Sequence, residues 1–297
     1  MNPGDHQRGV IAALGAFTLW GLMPVYFKWL LVVPPLEIIM HRIVWSIPFL
    51  AGFLLLRDGP GVWRKLKLPA RSMATLCVSS ALIAVNWLLF VWAVNNDRIL
   101  ATSLGYFINP LVNVLLGFLF LHERLSRLQT AAVGLAALGT AYLTWFLGVA
   151  PWISLALATT FGFYGLVRKK LGVGPMIGLL WEALLLTTPA CIYLAWAVQR
   201  GTLAFTAASL PMDALMVLAG PLTVLPLVWF NVAARFLPLS TVGFFQYLAP
   251  TITFLLAVFV YGEPFTRGHA VAFGCIWSAL ALISLESILR GNRSREM

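Results

Sequence analysis

Charge is scarce in this chain. Asp, Glu, Lys and Arg make up 10% of its 297 residues, where a soluble domain carries about a quarter. That shortage excludes a water-facing globular surface. The ten acidic residues form no cluster, which leaves no support for a sodium or metal site. The four histidines, His6, His41, His122 and His269, are scattered. Intramembrane hydrolases need Ser/His, paired Asp or metal-binding His at helical spacing, so an intramembrane enzyme finds no constellation here. Cysteine is rare too: Cys77, Cys191 and Cys275 lie inside apolar runs. An odd number of them gives no disulfide framework. No cofactor is implied.

What is present is apolar length. The hydrophobic fraction is 61% and the mean hydropathy +0.90. A membrane span needs about 20 apolar residues, and the runs 9–31, 36–56, 72–94, 99–121, 126–147, 150–168, 175–198, 212–235, 239–261 and 266–289 predict ten transmembrane helices. The first run starts near Val10 with no small-residue cleavage site, so it reads as a retained helix and not a signal peptide. The net charge of +10 does not point to nucleic acid, because the cations sit in short loops where they orient the chain in the bilayer. With the N-terminus cytoplasmic, the inside holds Arg8, Arg57, Arg64, Lys65, Lys67, Arg71, Arg124, Arg127, Arg168, Lys169, Lys170, Arg235, Arg290, Arg293 and Arg295. The outside holds Arg98, Arg200 and Arg267, so fifteen stand against three. Both termini are predicted to be cytoplasmic.

A shift of 140 residues overlays the second half on the first. Pro110 falls on Pro250, Glu123 on Glu263, Ser126 on Thr266, Phe90 on Phe230 and Ala93 on Ala233. Ser126 and Thr266 both suit the cap of the next helix. Five spans per repeat is an odd number, so the second copy enters the membrane inverted. The expected fold is an all-α integral membrane protein of ten helices as two inverted five-helix repeats, 1–147 and 148–297. Inverted repeats supply two oppositely facing gates, the geometry of alternating access.

The helix ends HERLS and GEPFT, the segment Gly105-Tyr106-Phe107-Ile108-Asn109-Pro110, and the duplicated five-helix half resemble the EamA-type branch of the drug/metabolite transporter superfamily. The strings Asn86 to Asn96, Phe163 to Lys170 and Gly243-Phe244-Phe245-Gln246-Tyr247 are similar to its RarD group. His122 departs from the family's usual Gly before Glu123. The resemblance spans essentially the whole chain. It implies a multi-pass exporter of small metabolites in the cell inner membrane, with amino acids as the first substrate class and drug-like compounds, of the chloramphenicol type, as the second.

Polar side chains cost free energy inside a bilayer and mark interior faces. Thr102, Tyr106, Asn109 and Asn113 recur on one face of the fourth span. The matching ninth span offers Gln246, Tyr247 and Thr253; the third offers Ser79, Asn86 and Phe90; the eighth offers Pro226, Trp229, Phe230 and Asn231. The first and sixth spans add Trp20, Tyr26, Phe161, Phe163 and Tyr164. The expected substrate-binding set is Trp20, Asn86, Phe90, Tyr106, Asn109, Asn113, Phe163, Tyr164, Trp229, Asn231, Gln246 and Tyr247. Such a lining suits a small zwitterionic or amphipathic molecule. The same amides also suit hydrogen bonds between helices, and the same rings suit packing. Pro110 and Pro250 are the hinge candidates.

Few charges lie within spans. Glu182 is the coupling candidate, since a buried carboxylate can load and release a proton. Arg42 matches it in the repeat, but inversion sets the two at opposite depths, so no direct pair is expected. Glu37 and His41 can meet one helical turn apart. Small residues on the fifth and tenth spans, including Ala132, Gly134, Ala136, Gly274 and Ser278, suggest close helix packing. The implied partners are a small-molecule substrate and the lipid bilayer.

Overall fold

The computed structural model describes residues 3–121, 125–148, 150–207, 209–237, 242 and 245–293. His122, Glu123, Gly243 and Phe244 lie outside these residues, as do the side chains of Lys169, Lys170 and Arg235. The described residues build an all-helical membrane fold. Inside a bilayer every backbone donor and acceptor must be satisfied within the chain, and helices do this locally.

The long helices are α1 (Pro3–Trp29), α2 (Pro35–Asp58), α3 (Ala70–Asn95), α4 (Ile99–Leu121), α5 (Arg127–Leu147), α6 (Trp152–Leu171), α7 (Pro175–Arg200), α8 (Leu210–Phe236), α9 (Leu248–Leu255) and α10 (Arg267–Arg293). Pro35 and Pro175 start α2 and α7 at positions whose N–H has no helical partner in any case. Gly148 and Gly172, at φ 70° and 66°, stop α5 and α6 in a left-handed conformation that glycine adopts without a Cβ penalty. Ser126 caps α5 in a reciprocal box with Gln129. Thr266 makes a like arrangement with His269 before α10: its N–H donates to Nδ1 of the ring, and the N–H of His269 reaches Oγ1 of Thr266 at 3.5 Å.

Among the described residues seven helices, α1 to α5, α7 and α8, are long and apolar enough to cross a membrane. Ten runs were expected to do so. Helix α6 mixes Ser154, Thr159 and Thr160 into its length and ends on cations. Of the described residues of the ninth run, Val242 and Phe245 are helical, Gln246 and Tyr247 form a turn, and helix resumes from Leu248, continuing as a π-turn over Leu256–Val260. Large apolar side chains such as Leu56, Trp145 and Phe259 are exposed, as expected of surfaces that meet lipid chains.

Helices of one half pack chiefly on helices of the other. α1 lies on α8 and α9, α6 on α3 and α4, α2 on α7 and α8, and α5 on α10. Two glycines set the closest approaches to a neighbouring helix backbone. A Cβ at Gly220 of α8 would run into the backbone oxygen of Trp45 on α2. One at Gly105 of α4 would stand 2.9 Å from the carbonyl oxygen of Ser154 on α6, whose hydroxyl donates to the carbonyl of Ala101 at 2.8 Å. The α5–α10 seam is built from small residues, but only part of the expected set forms it. Ala132 and Ala136 are buried there, and Gly139 meets Cys275. Gly134 and Gly274 face open space on other sides of their helices.

Candidate functional site

Where α1 to α4 and α6 to α9 converge they enclose a cavity of about 440 Å³. That volume is in the range of small-molecule sites. Of the twelve expected binding residues the cavity is lined by Trp20, Asn86, Phe90, Tyr106, Asn109, Tyr164, Asn231, Gln246 and Tyr247. Both hinge candidates, Pro110 and Pro250, line it as well.

Three expected residues lie elsewhere. Asn113 sits one turn beyond Asn109, where α6 closes on α4 beside Gly162. Phe163 turns outward, 37% exposed, with its ring edge-on to Phe120 at 5.7 Å. Trp229 covers Gly15 in the α1–α8 interface, and its neighbours Phe230 and Asn231 take the cavity face.

The walls are aromatic. Phe27, Phe90, Tyr106, Phe161 and Tyr164 form a chain of ring contacts with centroids 5.6 to 6.4 Å apart. Offset and edge-on pairs of this kind hold one another rigidly. Phe17, Trp20 and Phe230 form a second group on the opposite wall.

The polar groups are few and are anchored from behind. Asn86 donates through Nδ2 to the carbonyl of Leu157 and to Thr160 Oγ1 at 3.0 and 2.8 Å. It therefore binds α3 to α6, while its Oδ1 is buried with no partner among the described residues. Oδ1 of Asn109 is in the same condition. Asn231 donates back to Leu227 O at 2.7 Å. Pro110 lies inside α4, where its missing N–H leaves the carbonyl of Tyr106 without a helical donor. Pro250 stands in the first turn of α9, just after the turn at Gln246 and Tyr247, and its missing N–H leaves the carbonyl of Gln246 without an i+4 donor.

Glu182 is 1% exposed and does not line the cavity itself. Its carboxylate accepts from Ser79 Oγ at 2.7 Å and Tyr164 Oη at 3.2 Å, and Nε of Arg168 lies 3.7 Å away. Tyr164 and Arg168 both line the cavity, so the carboxylate reaches its wall through them. Arg42 does not pair with Glu182. It lines the cavity, is 9% exposed, and donates through Nε to Thr223 Oγ1 at 2.8 Å. Its guanidinium lies 4.1 Å from the centre of the Trp87 ring. Arg42, Trp87, Thr223 and Arg168 were absent from the expected binding set. The available signal was Arg42 itself, an ionisable residue in an apolar run.

At the end of the bundle that holds the α1–α2, α3–α4 and α9–α10 connections, Lys28 pairs with Asp97 and lies 5.4 Å above the Tyr261 ring. Glu263 accepts from the N–H groups of Ile99 and Leu100 at 2.6 and 2.8 Å, capping α4. Glu37 does likewise for Ala204 and Phe205. His41 is 3.8 Å from Glu37.

An all-helical bundle with an apolar exterior, enclosing an aromatic cavity of small-molecule size with a few fixed polar groups, is a polytopic membrane protein. Sequence comparison sharpens that class. The EamA-like transporter family matches residues 7–145. Over 97% of this chain, an uncharacterized transporter of Pseudomonas aeruginosa is 48% identical across 96% of its own length. A protein RarD of Salmonella typhi is 45% identical, again over 97% of this chain and 98% of its own. A solved crystal structure superposes on 94% of the chain and 98% of its own with a TM-score of 0.61 at 17% identity, a likeness of fold alone. The chain belongs to the EamA-like transporter family and, within it, to the RarD group. It is a multi-pass inner-membrane transporter and not an enzyme.

Proposed function

We propose that the chain is a secondary transporter that exports small metabolites, amino acids first among them, by alternating access between two inverted halves, 1–147 and 148–297. One observation carries the reading. The cavity is built from both halves at once, with α1 to α4 on one side and α6 to α9 on the other. A site shared by two inverted units changes its exposure when they rock against each other. The crossed packing, in which α1 lies on α8 as α6 lies on α3, supports the same pseudo-two-fold relation.

The ten runs are taken as ten spans with both termini cytoplasmic, on the fifteen-to-three distribution of cations. In that orientation the rim formed by Arg168, Val173 and Pro175 faces the cytoplasm. The connections joined by Lys28–Asp97, by the Glu263 cap and by the Glu37 bonds to Ala204 and Phe205 face outward and close that side. The substrate contacts are assigned to the nine lining residues and hinge motion to Pro110 and Pro250. Glu182 is assigned the coupling role, because its partners Tyr164 and Arg168 belong to the cavity wall.

Efflux of drug-like compounds is the second reading, favoured by the density of rings on the walls. Uptake into proteoliposomes, with radiolabelled neutral and aromatic amino acids and with and without a pH gradient, separates the two. Saturable uptake abolished by one unlabelled amino acid is expected. A gradient effect that disappears in Glu182→Gln assigns the coupling residue. Flux of a cationic or aromatic drug, with none of any amino acid, replaces the first reading by the second.

A further inference from the structure

We propose that Arg42 is a carboxylate anchor, so that the ligand of the cavity carries a single planar carboxylate. The other buried charges near the bundle interior have partners in the chain. Arg168 has Glu182, and Glu37 and Glu263 accept from backbone N–H groups. Arg42 has none of this kind: among the described residues no carboxylate approaches within ion-pair distance. Its neighbour Tyr26 is already committed, donating to the carbonyl of Leu215 at 2.9 Å.

A buried charge without a counter-ion is costly. Here the positive charge is held on purpose-shaped supports. Thr223 takes the Nε–H, and the face of Trp87 carries the plane of the guanidinium, a favourable cation–π contact. Those two supports fix the orientation of the group and use one of its five N–H donors. The terminal amino groups keep the fork that binds a carboxylate through two parallel hydrogen bonds. The missing counter-ion is therefore supplied by the ligand.

Charge balance narrows the class. A single carboxylate, of a monoanion or of an amino-acid zwitterion, gives Arg42 its counter-ion. A phosphate monoester carries about two negative charges at neutral pH and would leave one of them buried among aromatic rings. A cationic amphiphile meets like charge at Arg42 and is disfavoured. This deepens the transport reading and rests on it in one respect, that the cavity is the place where the ligand binds.

The test reads binding without flux. Purified full-length protein is melted in detergent with L-phenylalanine, phenethylamine or phenyl phosphate, three probes that share a ring and differ in the charged head. A ligand that binds only the folded state raises the melting temperature. The melting temperature should rise with phenylalanine and not with the other two. In Arg42→Gln the phenylalanine affinity should fall by about 30-fold or more, the low end for removing one partner of a buried charge pair. Arg42→Lys keeps the charge but loses the fork, and is expected to fold and to bind with intermediate affinity.

Equal stabilisation by phenylalanine and phenethylamine overturns the assignment. So does preference for the phosphate, absence of any response to phenylalanine, or unchanged affinity in Arg42→Gln and Arg42→Lys. Flux measured on the same preparation judges the transport reading separately. Ligand binding that follows the carboxylate while no compound crosses the membrane keeps the anchor and removes the carrier.

Discussion

Arg168 and Glu182 approach across the turn between α6 and α7, with Nε of the arginine 3.7 Å from Oε1 of the carboxylate. The guanidinium lies against the backbone of α7 at Gly178, in the space a Cβ would occupy. Breaking one side of a buried pair leaves the other charge uncompensated, at a cost of about 3–5 kcal/mol. Glu182→Ala is expected to lower thermal stability by an amount of that order. Glu182→Gln, which can keep hydrogen bonds to Ser79 and Tyr164, should cost distinctly less. Melting curves of the two variants in one detergent check this: the difference between them reports the hydrogen bonds, and the absence of any loss in both would remove the ion pair from the account.

Gly220 gives a purely steric expectation. An added methyl there meets the backbone of Trp45, and backbone cannot rotate away as a side-chain end can. Gly220→Ala should therefore push α2 and α8 apart and cost about 1–3 kcal/mol, the usual scale of overpacking. Gly134→Ala, where the space is open, should cost nothing and serves as the control. Monodispersity on size exclusion and the melting temperature report both.

The cavity assignment rests in part on two amides, Asn109 and Gln246, that face the cavity. Oδ1 of Asn109 is buried without a partner among the described residues, and Gln246 lines the same cavity from α9's leading turn. Asn109→Ala and Gln246→Ala should each reduce transport of the favoured substrate while leaving expression and melting temperature unchanged. Wild-type flux in both would remove these residues from the binding site.

The Lys28–Asp97 pair is expected to matter for gating more than for stability. Asp97 is largely exposed, and exposed pairs contribute up to about 1 kcal/mol. In Lys28→Ala the melting temperature should scarcely move. A cysteine placed at the cavity residue Met23, in a background free of the three native cysteines, should react faster with an impermeant thiol reagent applied from outside. An unchanged labelling rate would mean that the pair does not hold that end shut.

The fold was legible in the sequence because lipid imposes a simple rule, apolar length, and the helices follow the hydrophobic runs closely. The exception is informative. The ninth run is apolar throughout, yet its backbone turns at Gln246 and Tyr247, between helical Phe245 and Leu248, and composition does not reveal that break. The site was legible by period on α4, where Tyr106, Asn109 and Pro110 do share the cavity face. Asn113 continues the same stripe but lies at a depth where Gly162 lets α6 close in, and depth is a tertiary quantity. Trp229 and Phe163 failed for a similar reason, because neighbouring aromatics on a helix look alike until the partner helix is known. Arg42 was visible as a charge in an apolar run. Its meaning was not, because Trp87 and Thr223 come from helices far along the chain.

The most direct test of the central claim, a carrier with one shared cavity, is counterflow in proteoliposomes. Vesicles loaded with unlabelled phenylalanine are diluted into a trace of the labelled compound, and the inward label is followed over time. A carrier that alternates must show transient accumulation above equilibrium, because the outgoing substrate returns the site, and Asn109→Ala should lower that peak. Entry of label that is the same from loaded and empty vesicles, for every amino acid and drug tried, would contradict the account.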